Sequence, residues 1–162
     1  MSSIYLVRHA RSVANAQGVL AGRTPQVFLD DEGEKQLAEI ENYFTNIRVE
    51  RIVHSPLVRV KQTVAGLIAQ HPEASVHAVA AVEFWRAQID EAAVLASHGD
   101  VIKSIIAHYV GIEFDDFQRI QVAPASITRI EFSETDAEVT PLNYSSRDEV
   151  GGGDSEQVDS RI

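Results

Sequence analysis

Two short apolar runs in this 162-residue chain each end abruptly in a polar motif that contains a histidine. The run Ile4-Tyr5-Leu6-Val7 leads directly into Arg8-His9, and the run Ala92-Ala93-Val94-Leu95-Ala96 leads into Ser97-His98-Gly99-Asp100. Both runs have the length and composition of fully buried strands. Chains of this type place chemistry at the carboxyl ends of their strands. With a second arginine at Arg59, these parts can build a site that handles phosphate.

Strands and helices are predicted to alternate along the rest of the chain. Asp30 or Asp31 can cap a helix whose apolar face ends at Phe44. A short strand is predicted at residues 51–53, followed by a helix with Ser55 as its N-cap and Pro56 as its first residue. A helix over residues 76–91 is predicted to bury Trp85, and a helix capped by Asp100 is predicted to stop at Gly111. Two further strands are predicted at residues 126–132 and 138–142. Residues 10–29 are predicted to form a loop. This order predicts an α/β fold, a three-layer sandwich with a largely parallel central sheet flanked by helices.

Length and composition limit the class of protein. We expect one domain over residues 1–144 and an acidic, glycine-containing tail over residues 145–162 that is disordered. The chain has no cysteine, which excludes disulfides and thiol catalysis. Its net charge of −10 argues against nucleic acid as a partner. No apolar stretch is long enough to span a membrane and no basic leader opens the chain, so a cytoplasmic location is the default expectation.

Four motifs carry a resemblance to a known family. They are Arg8-His9-Ala10-Arg11-Ser12-Val13-Ala14-Asn15, Leu29-Asp30-Asp31-Glu32-Gly33-Glu34-Lys35-Gln36, Ser55-Pro56-Leu57-Val58-Arg59-Val60-Lys61-Gln62-Thr63 and Ser97-His98-Gly99-Asp100. The first resembles the Arg-His-Gly-x-Ser/Thr-x-x-Asn motif of the histidine phosphatase superfamily, the phosphoglycerate-mutase-like phosphatases. All four occur in that family's order and cover both ends of the domain, so the chain resembles this family as a whole.

The resemblance implies a role for each matched residue. His9 matches the nucleophile that takes the phosphoryl group as a phosphohistidine, and it must be neutral to do so. Arg8 and Arg59 match the arginines whose planar forks bind phosphoryl oxygens. His98 matches the second histidine, which donates to the phosphate in flight. No metal or organic cofactor is implied.

Three further residues are candidates for binding the phosphate or the substrate. Asn15 matches a polar contact of the family, and Gly99 precedes a helix with its N–H well placed for an anion oxygen. Arg23 lies in the first loop and could contribute to an anion site, although a solvated arginine is an equally good interpretation. The remaining histidines match no catalytic position, and we expect surface or packing roles for them: His54, His71, His77 and His108.

The chain departs from the family at three places. Ala10 replaces the usual glycine, which adds one methyl group beside the nucleophile. The first loop has Val19 and Ala21 where phosphoglycerate mutases often carry an arginine and a hydroxyl residue, which puts phosphoglycerate in doubt as the substrate. The segment between Thr63 and His98 is much shorter than in the family, as if the chain crossed it near residues 70–75. Either the segment was lost, or the protein contains residues that this sequence lacks.

The shortened segment is where the family usually carries the glutamate that protonates the leaving group. Glu83 is the candidate replacement. On the predicted helix over residues 76–91 it lies about 100° from Val82, toward solvent, which favours a surface role. The general acid is therefore unknown.

The sequence predicts a phosphomonoester hydrolase, of the histidine acid phosphatase type, that acts on a small phosphorylated metabolite through a phosphohistidine. Two alternatives stay open at this point: a phosphomutase of the same family, and a phospho-ligand binding module that lacks the acid. A membrane partner is not expected. A homodimer is possible if the shortening exposes one edge of the sheet.

Overall fold

The computed structural model describes residues 2–79, 92–133 and 135–144. The predicted tail at residues 145–162, Trp85 and Glu83 lie outside these ranges. Within them the strands are β1 (Ser2–Arg8), β2 (Arg51–His54), β3 (Ser75–Ala78), β4 (Ala93–Ser97), β5 (Ile127–Phe132) and β6 (Ala137–Tyr144). The helices are α1 (Val13–Ala16), α2 (Asp31–Phe44), α3 (Val58–Gln70) and α4 (Gly99–Val110), followed by a 3₁₀ helix at Phe114–Arg119.

One six-stranded sheet runs through the described part of the chain in the order β3-β2-β4-β1-β5-β6. The first four strands in this order are parallel to one another. β5 is antiparallel to β1, and β6 is antiparallel to β5. The predicted α/β fold with a largely parallel sheet is therefore confirmed.

The two faces of the sheet are covered by different helices, which gives the three layers. Along β1 the side chains alternate between the faces. Tyr5 and Val7 pack with residues of α2 and α3, among them Phe44. Ile4 and Leu6 pack with residues of α4 on the opposite face. β1 and β4 are buried on both faces, which is why their sequences are apolar without alternation.

The helix predicted over residues 76–91 is wrong at its start. Residues Ser75–Ala78 form the edge strand β3, which pairs with β2 in parallel register. All four of its residues are exposed, so burial imposes no alternation that a sequence pattern could reveal. The rest of that prediction falls on residues 80–91, outside the described ranges.

Two predicted helix starts are also corrected. α3 begins at Val58 with Leu57 at the N-cap, because the Ser55 hydroxyl accepts from the Leu57 amide ahead of the helix. α4 begins at Gly99 with His98 at the N-cap, which leaves Asp100 in the first turn. A carboxylate is favourable there because it faces the positive end of the helix dipole. The predicted stop at Gly111 is confirmed by its left-handed φ of 72°.

The loop predicted over residues 10–29 contains the single-turn helix α1. Ser12 caps it, accepting from the Asn15 amide at 3.3 Å and donating to the Asn15 side-chain oxygen at 3.0 Å. The Ser12 amide donates to the same Asn15 oxygen at 3.1 Å, and this bond and the one from the Asn15 amide form a capping box, which fixes the first turn after the strand. Asp30, one of the two predicted caps of α2, is its N-cap and accepts from the Gly33 amide at 2.8 Å.

Among the helices in the described ranges, none combines the length and the apolar character that crossing a membrane requires.

Candidate active site

Three neighbouring parallel strands end at one edge of the sheet and bring the polar motifs together. Arg8 at the end of β1 is in register with Ser97 at the end of β4. The His9 amide donates to the Ser97 carbonyl at 3.0 Å, and the Ser55 amide after β2 donates to the Ala96 carbonyl at 3.1 Å. These hydrogen bonds extend the strand pairing by one residue and place His9, His98 and Ser55 side by side.

His9 is buried and its ring is held in one orientation. Its Nδ1 lies 2.8 Å from the carbonyl oxygen of Ala10, so Nδ1 carries the hydrogen and Nε2 keeps its lone pair. Burial lowers the pKa of His9 to about 3; the Ala10 carbonyl opposes this, and charge at His98, Arg8 and Arg59 adds to it. The imidazole is therefore neutral at physiological pH, as a nitrogen nucleophile must be.

His98 faces His9 across the site, with 5.4 Å between the ring centroids. Its Nε2 lies 2.8 Å from the Ser55 hydroxyl, and its Nδ1 lies 3.4 Å from Nη2 of Arg59. Burial, together with the charges of Arg59 and Arg8, lowers the pKa of His98 to about 4. Two neutral rings thus stand beside two cations.

Arg59 is only 2% exposed and is tied to the first loop. Its Nη2 donates to the Gly22 carbonyl at 2.7 Å and its Nη1 to the Thr24 carbonyl at 3.2 Å. Its Nε is buried and has no hydrogen-bond partner among the described residues. Burial lowers the pKa of this guanidinium, although an arginine stays charged at any physiological pH.

Arg8 resembles Arg59 in its surroundings. One of its terminal nitrogens donates to the Val122 carbonyl, and its buried Nε finds no partner in the part of the chain that the structure describes. Burial lowers the pKa of Arg8, while the nearby Asp100 carboxylate raises it. Buried donors without acceptors are costly. An anion between Arg8 and Arg59 would balance two buried positive charges.

A cavity of about 270 Å³ opens over these groups. It contains all four residues that the sequence predicts as catalytic (Arg8, His9, Arg59, His98), together with Asn15 and Gly99. Asn15 has its amide oxygen engaged by Ser12, which leaves its NH₂ group for a ligand. Arg23 is exposed and is not among the lining residues. None of the other four histidines lines the cavity; His54 is buried, with its Nδ1 3.0 Å from the Ser55 carbonyl.

Gly99 brings the first turn of α4 against Arg8. A Cβ at Gly99 would lie 3.3 Å from Cζ of Arg8, so a larger residue would press on the guanidinium. Because the amides of a helix's first turn have no intrahelical acceptor, they add further donors beside the arginine.

A second layer of polar residues holds the loop after His9, and sequence reasoning assigned these residues no role. The Ala10 amide donates to the Thr63 hydroxyl at 3.0 Å, and this hydroxyl donates to the Arg59 carbonyl at 2.7 Å. The Arg11 amide donates to the Gln36 side chain at 2.9 Å. Gln36 belongs to the second motif and Thr63 to the third, and this membership was the available signal.

Asp30 and Gly33 fasten the same loop from the start of α2. The Asp30 carboxylate pairs with Arg11 at 2.7 Å and the Asp30 amide donates to the Arg11 carbonyl at 3.1 Å. The Arg11 guanidinium and the hydrogen bond from Gly33 lower the pKa of Asp30 against a partial desolvation that raises it. A Cβ at Gly33 would lie 1.9 Å from the Arg11 carbonyl oxygen, so only glycine allows this approach.

Comparison with known proteins agrees with this geometry. The sequence model of the histidine phosphatase superfamily (branch 1) matches residues 4–81 and 73–145. The chain belongs to the histidine phosphatase superfamily. The two matched segments overlap at residues 73–81, a range that begins within the predicted junction at residues 70–75.

Curated proteins also match part of the chain. A 6-phosphofructo-2-kinase/fructose-2,6-bisphosphatase of Caenorhabditis elegans is 33% identical over 109 residues, which is 66% of this chain and 21% of that protein. An uncharacterized protein of Mycobacterium tuberculosis is 31% identical over 70 residues, or 43% of this chain and 34% of the relative. The matched residues thus span about a fifth to a third of these relatives.

Solved structures of the superfamily share the fold. Phosphoserine phosphatase from Entamoeba histolytica, in complex with 3-phosphoglyceric acid, has a TM-score of 0.74 at 18% identity, over 90% of this chain and 98% of its own. A putative α-ribazole-5′-P phosphatase from Escherichia coli has a TM-score of 0.77 at 15% identity, over 88% and 96%. Mycobacterial glucosyl-3-phosphoglycerate phosphatase, in complex with VO₃, has a TM-score of 0.76 at 14% identity, over 90% and 100%.

Proposed function

We propose that this protein hydrolyses phosphomonoesters through a phosphohistidine on Nε2 of His9. The observation that carries the proposal is the hydrogen bond between Nδ1 of His9 and the Ala10 carbonyl, which leaves Nε2 with its lone pair inside a cavity flanked by two arginines. Relatives whose names are those of phosphatases, among them the phosphoserine and glucosyl-3-phosphoglycerate phosphatases, support the same reaction class.

The reaction proceeds in two displacements. In the first, the Nε2 lone pair of His9 forms a bond to phosphorus while the bond between phosphorus and the ester oxygen breaks. The departing oxygen takes up a proton. In the second, water attacks phosphorus, the N–P bond breaks, and inorganic phosphate leaves as the water's proton is lost. Arg8 and Arg59 bind the phosphoryl oxygens in both steps, where charge builds on them.

The remaining cavity residues orient the phosphoryl group. His98 stands opposite His9. Its Nδ1 can only accept from Arg59, so its N–H is on Nε2, 2.8 Å from the Ser55 hydroxyl, and it donates to a phosphoryl oxygen by exchanging that hydroxyl for it. The Asn15 NH₂ group and the amides at Gly99 supply further donors. No general acid is assigned among the described residues. Loss of such an acid costs about 10²–10⁴-fold in rate, and esters with good leaving groups lose least. We therefore expect aryl phosphates to be turned over faster than alkyl phosphates.

Hydrolysis of p-nitrophenyl phosphate tests the proposal. We expect turnover with release of inorganic phosphate, and an acid-labile phosphoryl label on the protein after rapid quenching. His9→Gln should abolish both, whereas His108→Gln, at an exposed histidine of α4, should leave both unchanged. Turnover that survives His9→Gln overturns the mechanism. Binding of phosphate or vanadate without turnover favours a phospho-ligand binding module instead, and transfer to an added alcohol in place of water favours a mutase.

A further inference from the structure

One wall of the candidate active site is apolar. Val19, Leu20 and Ala21 line the cavity together with the phosphate-binding groups. Leu20 is 98% exposed and Val19 is 56% exposed, so neither side chain serves the hydrophobic core. Single exposed apolar residues are common on protein surfaces, but two consecutive ones at the mouth of a polar cavity are not explained by folding.

Exposed apolar side chains are concentrated in this part of the chain. Eight large apolar residues are exposed within the described ranges, and four of them lie in residues 13–28: Val13, Val19, Leu20 and Phe28. The Val13 amide donates to the Phe28 carbonyl at 3.1 Å, which closes the base of this loop. Of these four residues, Val19 and Leu20 line the cavity, and an exposed apolar patch of this kind is a common mark of a binding site.

The apolar wall formed by Val19, Leu20 and Ala21 is held at a fixed position relative to the residues proposed to bind phosphate. Left-handed turns at Gly18 (φ 67°) and Gly22 (φ 50°) bracket it. The Val19 amide donates to the Ala14 carbonyl at 2.9 Å, and the Gly22 carbonyl accepts from Arg59 at 2.7 Å. The arginine that would bind the phosphoryl group therefore also anchors the wall beside it.

Charge at the mouth of the cavity disfavours a second anionic group on the substrate. The Asp100 carboxylate lines the cavity and 74% of its side chain is exposed. Lys103 lies 3.9 Å away and offsets that charge in part. A carboxylate or second phosphate on the substrate would meet Asp100 on one side and no hydrogen-bond donor in the side chains of Val19, Leu20 and Ala21 on the other.

We propose that this wall selects phosphomonoesters whose organic group is uncharged and apolar, such as an aryl group or an alkyl chain of several carbons. The inference rests on the proposed function, because it places the scissile phosphate between Arg8 and Arg59. The organic group then extends across Leu20 and Val19, and burying its methylene groups against them adds affinity.

A series of n-alkyl phosphates from ethyl to octyl tests the wall, because all members have leaving groups of nearly equal basicity. We expect kcat/KM to rise about two- to fourfold for each added methylene until the wall is covered. Glycerol phosphate should react more slowly than propyl phosphate. Leu20→Ser and Val19→Ser should flatten the rise while inhibition by inorganic phosphate stays unchanged. Phe114→Ser, at an exposed apolar residue that does not line the cavity, is the matched control.

Calorimetric binding of the same series to His9→Gln separates the two proposals. Affinity that rises with chain length, in a protein whose wild type hydrolyses neither these esters nor p-nitrophenyl phosphate, supports the selectivity of the wall and overturns the hydrolase. Hydrolysis of every ester with equal kcat/KM contradicts the proposed selectivity but not the proposed hydrolase. A rise of kcat/KM with chain length that persists in Leu20→Ser and Val19→Ser has the same meaning. If no alkyl phosphate binds or reacts, the selectivity proposed for the wall is wrong, and turnover of p-nitrophenyl phosphate decides the hydrolase separately.

Discussion

The backbone amide of Ala10 donates a 3.0 Å hydrogen bond to the hydroxyl of Thr63. These residues lie 53 positions apart, one beside the proposed nucleophile and the other on α3. The same hydroxyl donates to the Arg59 carbonyl one turn earlier, so a single buried oxygen links the loop of His9 to the helix of Arg59. The spacing between nucleophile and arginine therefore depends on a residue that contacts no substrate.

Thr63→Val is expected to destabilise the fold and to slow the reaction. Valine keeps the shape of the side chain but leaves the buried Ala10 amide without an acceptor, which costs about 1–3 kcal/mol of unfolding free energy. Urea denaturation measures the loss. Thr45→Val, at an exposed threonine after α2, should stay within about 0.5 kcal/mol of wild type. An equal loss in both variants would contradict the role given to Thr63.

Gly33→Ala is expected to damage the active-site loop through the backbone alone. The new methyl group would meet the Arg11 carbonyl oxygen at 1.9 Å, so either α2 or the loop after His9 has to move. We expect a loss of about 2–4 kcal/mol in unfolding free energy, with a weaker affinity for vanadate. Glu34→Ala, on the exposed side of the same turn, is the control. Normal vanadate affinity in Gly33→Ala would show that the contact is dispensable.

Ser55→Ala tests whether the second histidine needs a fixed ring. The Ser55 hydroxyl is 2.8 Å from Nε2 of His98, and its removal frees the ring to rotate. We expect kcat to fall about tenfold with little change in KM, because a positioning loss acts on the transition state. Ser55→Thr should recover part of the rate. Ser104→Ala, which removes an exposed hydroxyl from α4, should leave both kcat and KM unchanged. A rise in KM at constant kcat would assign Ser55 to ground-state binding instead.

The low pKa of His9 predicts a loss of stability in mild acid. In the unfolded chain this histidine takes up a proton near pH 6.5, whereas in the folded protein it does so only near pH 3. The unfolded state therefore binds more protons between these values, so stability is full above pH 6.5 and falls as the pH drops. By pH 4.5 the titration of His9 alone lowers the unfolding free energy by about 3 kcal/mol.

Denaturation of wild type and His9→Gln at pH 7 and at pH 4.5 measures this contribution. The variant should lose less stability on acidification than wild type, while His108→Gln should behave as wild type. Identical pH dependence in all three proteins would show that His9 titrates normally.

The parts of the fold that the sequence predicts are those with a strong burial signal. β1 and β4 are covered on both faces and read as continuous apolar runs, so the positions of the two histidines at their ends could be predicted. β3 has four exposed residues, and its short pattern was equally compatible with a helix. The start of α3 was misplaced because the Ser55 hydroxyl accepts from the Leu57 amide ahead of the helix and also contacts His98, so it caps no residue of the helix itself.

The candidate site divides in the same way. The residues proposed to surround the phosphate carry diagnostic side chains, so Arg8, His9, Arg59 and His98 could be named as candidates from motifs alone. Thr63, Gln36 and Gly33 act on backbone groups of a loop that is distant in sequence. Their roles depend on which carbonyl or amide comes near, and only the folded chain determines that.

The place of β3 at the border of the sheet has an evolutionary consequence. This strand pairs with β2 alone in the described sheet, and the two superfamily matches overlap at residues 73–81, where it ends. Chain can be inserted or removed there without changing how β1 lies against β4 or how Arg59 reaches its carbonyls. The length of chain at this border can therefore vary without moving the strand ends that carry Arg8, His9 and His98.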